Sequence, residues 1–182
     1  MNIMNIPSLA LDIDGVLANF PEAVIDRAHF LGVGDSFPIS WRDVKSWELG
    51  TPRFHDVMRG AWGSVDFWSA INPMPGVIRC VKPGIYLTSR PIPSDVTTSW
   101  LSKHGFPESP VVTVQRPEEK IKHLQERGLF LVDDYHETVQ KCIDSGIEAY
   151  LYKAPYQRSY DVSHLPTVTS LQEVIDRYEG NN

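Results

Sequence analysis

Leu9-Ala-Leu-Asp-Ile-Asp-Gly-Val-Leu-Ala-Asn-Phe20 is the stretch from which the rest of the chain is read. Leu9, Ala10, Leu11 and Ile13 make a short apolar run closed by a glycine, the pattern of a strand buried on both faces in a parallel sheet. Asp12 and Asp14 come at its carboxyl end, with Ile13 between them. Side chains two apart on a strand point the same way, so both carboxylates are expected to face one spot. Two like charges that close repel unless something positive sits between them. The carboxyl end of a strand in an open α/β sheet is also where ligands bind. The economical reading is a divalent cation, with one carboxylate left to attack an electrophile. Gly15 lets the backbone turn sharply and brings N–H groups toward whatever the carboxylates hold. The plain alternative is a strand end and a capped turn, since Asp and Gly are ordinary turn formers.

The bulk numbers narrow the class. At 182 residues the chain can bury one substantial core with a small accessory lobe. A net charge of −6 and a pI of about 5.5 give no electrostatic track for a long nucleic acid. A single nucleotide or other small phosphate ester needs only one local cluster of cations. Apolar runs are too short to span a bilayer, and residues 1–7 lack the basic start of a signal peptide, so a cytoplasmic protein is expected. Cys80 and Cys142 have no C-x-x-C spacing and read as free thiols. The six histidines show no metal-binding spacing, which argues against zinc. Neither a G-x-S-x-G elbow nor a G-x-x-x-x-G-K loop is present, which removes the usual serine hydrolase and P-loop signatures.

Strands and helices then alternate. A helix is expected from Pro21, with Val24, Ala28 and Leu31 on one face, ending near Gly32. From Asp35 to Trp68 the character changes: this stretch holds all but one of the five tryptophans (Trp41, Trp47, Trp62 and Trp68) with Phe37, Phe54 and Phe67. Short helical pieces are expected around Trp41–Trp47 and Thr51–Gly60, forming a small helical cap over residues 34–69. The catalytic core is then residues 1–33 and 70–182. After a short helix from Val77 to Val81, further strands are expected at Gly84–Thr88, Val111–Val114, Leu129–Val132 and Ile147–Tyr152. Helices are expected at Ser94–His104, Glu118–Arg127 and His136–Asp144, and one carries Leu171, Val174, Ile175 and Tyr178 in the tail. This alternation implies an α/β fold, a central parallel sheet of about five strands flanked by helices.

Four polar features fall in order along that pattern: Asp12/Asp14, Thr88/Ser89, a lysine near residue 120, and Asp133/Asp134. Three lie just past predicted strand ends and so share one edge of the sheet. Together they suit phosphoryl transfer. A carboxylate can carry the phosphoryl group as an acyl phosphate. Mg²⁺ takes one or two carboxylates plus waters, which Asp12 and Asp133 can supply. A hydroxyl and an ammonium can bind the non-bridging oxygens. Lys120 and Lys122 both open the helix before the fourth strand and point to different faces. Lys120 is preferred, because Ile121 and Leu124 then make the buried stripe. Arg90 suits either a substrate contact or a brace for the Arg-Pro turn.

Asp12-Ile-Asp-Gly-Val-Leu-Ala resembles the first motif of the haloacid dehalogenase-like (HAD) phosphohydrolases. Leu87-Thr88-Ser89, Lys120 and Leu131-Val-Asp-Asp134 are similar to the second, third and fourth. Within that superfamily the first motif, Asn72-Pro-Met-Pro-Gly76, Leu-Thr-Ser-Arg-Pro91, Ala154-Pro-Tyr-Gln-Arg158 and Leu165-Pro-Thr-Val-Thr-Ser170 look most like the 5′(3′)-deoxyribonucleotidases. The resemblance implies a HAD-like Rossmannoid three-layer fold and a Mg²⁺-dependent nucleotidase. Asp12 would be the nucleophile and a metal ligand. Asp14 would protonate the leaving alkoxide, later activate water, and put its backbone carbonyl on the metal. Thr88 and Lys120, helped by Ser89 and the N–H groups around Gly15, would hold the phosphate. Asp133 would complete the protein's metal ligands, with Asp134 behind them. Phe20, Trp41 and Trp47 would flank a nucleobase. The expected partner is a nucleoside monophosphate, with a homodimer left open. A HAD phosphatase for a sugar phosphate is the alternative within the class. A phospho-acceptor signalling domain shares the parts but not their order, and lacks a cap.

Overall fold

The computed structural model describes residues 3–44 and 54–180. β1 (Met4–Leu11) leads through a tight loop into α1 (Phe20–Phe30). Two single 3-10 turns follow, at Gly34–Ser36 and Trp41–Asp43, then two short helices, α2 (Phe54–Met58) and α3 (Val65–Ala70). The chain continues as β2 (Val81–Thr88), α4 (Ser94–Lys103), β3 (Val111–Thr113), α5 (Pro117–Arg127), β4 (Phe130–Asp133), α6 (His136–Asp144) and β5 (Ala149–Tyr152). A 3-10 turn at Pro155–Gln157, β6 (Thr167–Val168) and α7 (Leu171–Gly180) complete it.

Among the described residues six strands form one parallel sheet, in the order β3-β2-β1-β4-β5-β6. The sheet is three-layered because its strands alternate between two buried faces. Leu9, Leu11, Tyr86 and Val132 point into one core with Val24, Ile25 and Ala28 of α1, Trp100 and Leu101 of α4, and Leu171, Val174 and Ile175 of α7. Ala10, Ile85, Leu87 and Leu131 point into the other, against Leu124 of α5 and Val139 and Cys142 of α6. Period-two alternation with both sides apolar is what a covered parallel sheet requires. Strand order reverses beside β1, so the crevice for a ligand opens between the carboxyl ends of β1 and β4.

The structure departs from the sequence reading in several places. The expected helix at Val77–Val81 is absent: Cys80 gives its carbonyl to the N–H of Met4 at 2.7 Å, and Val81 already begins β2. Pairing with β1 wins over a five-residue helix that could not pack a face. A sixth strand, Thr167–Val168, is added at the sheet edge; a strand of two residues gives no periodicity to read. Leu31 caps α1 at 45% exposure instead of joining its buried face. In the inserted stretch Trp41 begins a 3-10 turn, and Phe54–Met58 is helical within the expected Thr51–Gly60. Trp47 and residues 45–53 lie outside the described residues. The buried side chains of that stretch, Phe37, Val44, Val57, Met58, Ala61 and Trp68, join the core of α1, α4 and α7.

Candidate active site

β1 stops at Leu11, and the next residues are held by two kinds of bond. Asp12 keeps the ladder going for one step, its N–H donating to the Val132 carbonyl of β4 at 3.0 Å. Past it the chain coils: the Ile13 carbonyl accepts from Leu17 and Ala18, both at 2.8 Å, and Gly15 donates to Ala18 at 2.8 Å. The strand alternation that would aim Asp12 and Asp14 at one point therefore ends before Asp14. Gly15 sits at φ +83°, and a β-carbon there would run into the Asp134 carboxylate and the Tyr156 hydroxyl. Its own N–H is committed to Ala18, and the glycine leaves room for Asp134 and Tyr156.

Asp12 and Asp133, from neighbouring strand ends, are bridged by a lysine. Lys120 of α5 donates to Asp12 Oδ1 at 2.6 Å and to Asp133 Oδ2 at 2.8 Å, with all three side chains buried. Lys122, two residues on, is solvent-exposed and lies 3.9 Å from Glu126. Helix geometry thus separates the two candidates, and only Lys120 reaches the acids. The other oxygen of Asp133 accepts from the Tyr135 N–H at 2.8 Å. Asp134 is buried too and accepts a short hydrogen bond from the Tyr156 hydroxyl. Gln157 steadies that tyrosine's loop, donating to the Asp134 carbonyl at 2.7 Å and the Tyr152 carbonyl at 2.8 Å.

Three buried carboxylates against one ammonium leave excess negative charge. Burial pushes the Asp12 carboxyl up to about 7; Lys120 opposes that, while Asp133 and Asp14 add to it. Burial and the charges of Asp133 and Asp12 also raise Asp134 well above the usual carboxylate range. Burial alone would lower the proton affinity of Lys120, but the two carboxylates on it win and raise it. Asp12, Asp133 and Asp134 can each offer an oxygen within 4.8 Å of the others. Hard oxygen donors with uncompensated charge fit a cation such as Mg²⁺. Asp134, expected behind the ligands, contributes to this cluster directly. The carboxylate of Asp14 does not; it is held by Arg90, with Nε 2.9 Å from Oδ2 and Nη2 2.8 Å from Oδ1.

A cavity of about 220 Å³ opens over the cluster. Asp12, Asp14, Lys120, Asp133 and Asp134 line its floor, with Thr88 and Ser89 from the end of β2. The Thr88 side chain is fully buried, whereas Ser89 is exposed. One wall is aromatic. Phe20 stacks on Trp68 with ring centroids 5.4 Å apart and planes 3° from parallel, and Trp62 stands next to Trp68 at 6.2 Å. Of the aromatic residues expected here, Phe20 lines the cavity. Trp41 does not: its backbone N–H is tied to Glu22 at 2.9 Å, and its ring packs at the edge of the core under Arg42. Trp62 and Trp68 take that place: α3 brings Trp68 beside Phe20 at the start of α1, and Trp62, in the turn before α3, packs against Trp68.

No family model matches the chain, and no curated protein matches it. Among solved structures it is similar to a HAD-superfamily hydrolase of subfamily IA, variant 1, from Geobacter sulfurreducens PCA. That match has a TM-score of 0.53 and 19% identity, over 96% of this chain and 95% of that one. This is the HAD-like fold. A provisionally assigned phosphoglycolate phosphatase from Lactobacillus plantarum is also similar, at TM-score 0.48 and 13% identity, over 95% of this chain and 99% of that one. In the HAD-like frame Arg90, Tyr156 and Gln157 are the residues sequence reasoning left unassigned to the acids. Tyr156 and Gln157 follow β5, and the rule that parallel strand ends share an edge could have found them.

Proposed function

We propose that this chain is a Mg²⁺-dependent phosphatase that hydrolyses (deoxy)nucleoside monophosphates through an aspartyl-phosphate on Asp12. The observation that carries the reading is the floor of the cavity: a carboxylate at the end of the central strand, bonded to a buried lysine that also bonds a second strand-end acid. Asp12, Asp133 and Asp134 would hold the cation, which supplies charge neutralisation at the phosphoryl oxygens. An Asp12 oxygen attacks phosphorus as the bond to the leaving oxygen breaks, and Asp14 gives that oxygen a proton. In the second half, water attacks the same phosphorus, the bond to Asp12 breaks, and Asp14 takes the proton from water. Lys120 stabilises charge on the phosphoryl group, and Thr88 and Ser89 lie where its oxygens would sit.

The nucleotide assignment is supported by the aromatic wall of Phe20, Trp68 and Trp62, a flat apolar surface suited to a base. Residues 34–69 would then be the cap that carries most of it. The free thiols Cys80 and Cys142 support a reducing, cytoplasmic setting. Phosphate release is to be measured with Mg²⁺ on a panel of nucleoside monophosphates and sugar phosphates. The reading expects nucleotides to be preferred. Preference for sugar phosphates would overturn the substrate class, and no release from any ester, or a long-lived phospho-aspartate without turnover, would overturn the phosphatase.

A further inference from the structure

Arg90 is buried to 1% exposure and does not line the cavity, whereas Asp14 and Trp68, both of which it contacts, do. Its fork is spent on one partner. Nε donates to both oxygens of Asp14, at 2.9 and 3.2 Å, and Nη2 donates to Oδ1 at 2.8 Å. Its guanidinium carbon lies 5.4 Å from the Trp68 ring centre and 4.9 Å from that of Trp100. Trp100 is itself fixed, its Nε1 donating to the Ile71 carbonyl at 2.7 Å. Nη1 is buried with no hydrogen-bond partner. An arginine bracing the Arg-Pro turn would spend its side-chain donors on backbone carbonyls, and among the described residues none accepts from it. A charge buried with one donor unpaired costs stability, so the turn does not explain it. What the arrangement does accomplish is to hold the plane of a carboxylate at the edge of the cavity.

We propose that Arg90 is a positioning residue that, clamped between Trp68 and Trp100, fixes the Asp14 carboxylate for proton transfer, above all from the water that releases the phosphoryl group from Asp12. This rests on the phosphatase reading. In that step the water oxygen bonds to phosphorus, the bond from phosphorus to Asp12 breaks, and the water proton goes to Asp14. The pairing suits this half, because hydrogen bonds from both Nε and Nη2 hold the carboxylate in one orientation. A rotated carboxylate misses the proton-transfer geometry without changing how substrate binds.

The test separates the two halves of the reaction. With para-nitrophenyl phosphate the leaving group departs without a proton, so the first half does not need Asp14. Arg90→Met and Arg90→Lys are each expected to give a burst of one nitrophenolate per site at close to the wild-type rate. Steady-state turnover should then be about 10²-fold below wild type, with accumulating phosphoenzyme and a KM that falls in step, so that kcat/KM holds. Lysine keeps the charge but not the fork, so Arg90→Lys should not restore turnover. Burst and steady state falling together, a rise in KM alone, or full recovery in Arg90→Lys would each overturn the clamp. Thermal melts check that both variants fold, and the lysine variant alone suffices if the methionine variant does not. A wild-type protein that releases no phosphate fails the phosphatase reading instead, and the clamp falls with it.

Discussion

The acid floor and the aromatic wall meet at one cavity but are built by different means. On the floor, Asp12 and Asp133 sit at the carboxyl ends of adjacent paired strands, so the backbone ladder sets their separation. The wall depends on side-chain packing, with Phe20 of α1 stacked on Trp68 of α3 and Trp62 tilted against Trp68. Removing a group from the floor should therefore change chemistry, and removing one from the wall should change binding. The largest expected effect is at Asp12. Asp12→Asn should abolish turnover while the fold persists, because an amide cannot form the acyl phosphate. Phosphate-release assays beside a thermal melt check this; residual turnover near wild type would break the division. On the proposed reading, chelation with EDTA should stop turnover reversibly and lower the melting temperature, since Asp12, Asp133 and Asp134 would be left with one ammonium. Unchanged activity in excess chelator would remove the cation from the floor.

Two lysines on the same helix sharpen the contrast between a buried charge and a solvated one. Lys120→Met removes the ammonium shared by two buried carboxylates and should cost about 3 kcal/mol in urea unfolding, along with most activity. Lys122→Met removes an exposed pair at 3.9 Å and should stay within about 0.5 kcal/mol of wild type. Similar losses in both variants would mean that the Lys120 bridge contributes nothing particular to the fold.

That contrast also explains what can be read from the amino-acid sequence. Strand ends announce themselves through apolar runs followed by acids, so the sheet and the chain positions of Asp12, Asp133 and Asp134 are legible in the residue pattern alone. Lys120 follows from the stripe of Ile121 and Leu124. The aim of Asp14 is not legible, because the loop from Ile13 to Ala18 replaces strand alternation with a coil, and Arg90, 76 residues away, takes up its carboxylate. Nor is the choice among tryptophans. Trp41 and Trp62 look alike in sequence, and only tertiary packing turns one to the core edge and the other to the cavity. The edge strand β6 is too short to leave a pattern.

The smallest effect belongs to that pair of tryptophans. Trp62 lines the cavity at 37% exposure, while its backbone carbonyl accepts from Trp68 Nε1 at 3.0 Å. Trp62→Ala keeps the carbonyl and removes the ring, so the floor stays intact and kcat should hold. If the ring covers a nucleobase, its loss removes about 1 kcal/mol of stacking, about a five-fold rise in KM for a nucleoside monophosphate. KM for a small phosphate ester without a base should not move. Trp41→Ala, away from the cavity, should leave both KM values alone while lowering the melting temperature. The reverse pattern would move base recognition back to the position the sequence suggested, and equal KM changes with and without a base would make the wall a general apolar lining.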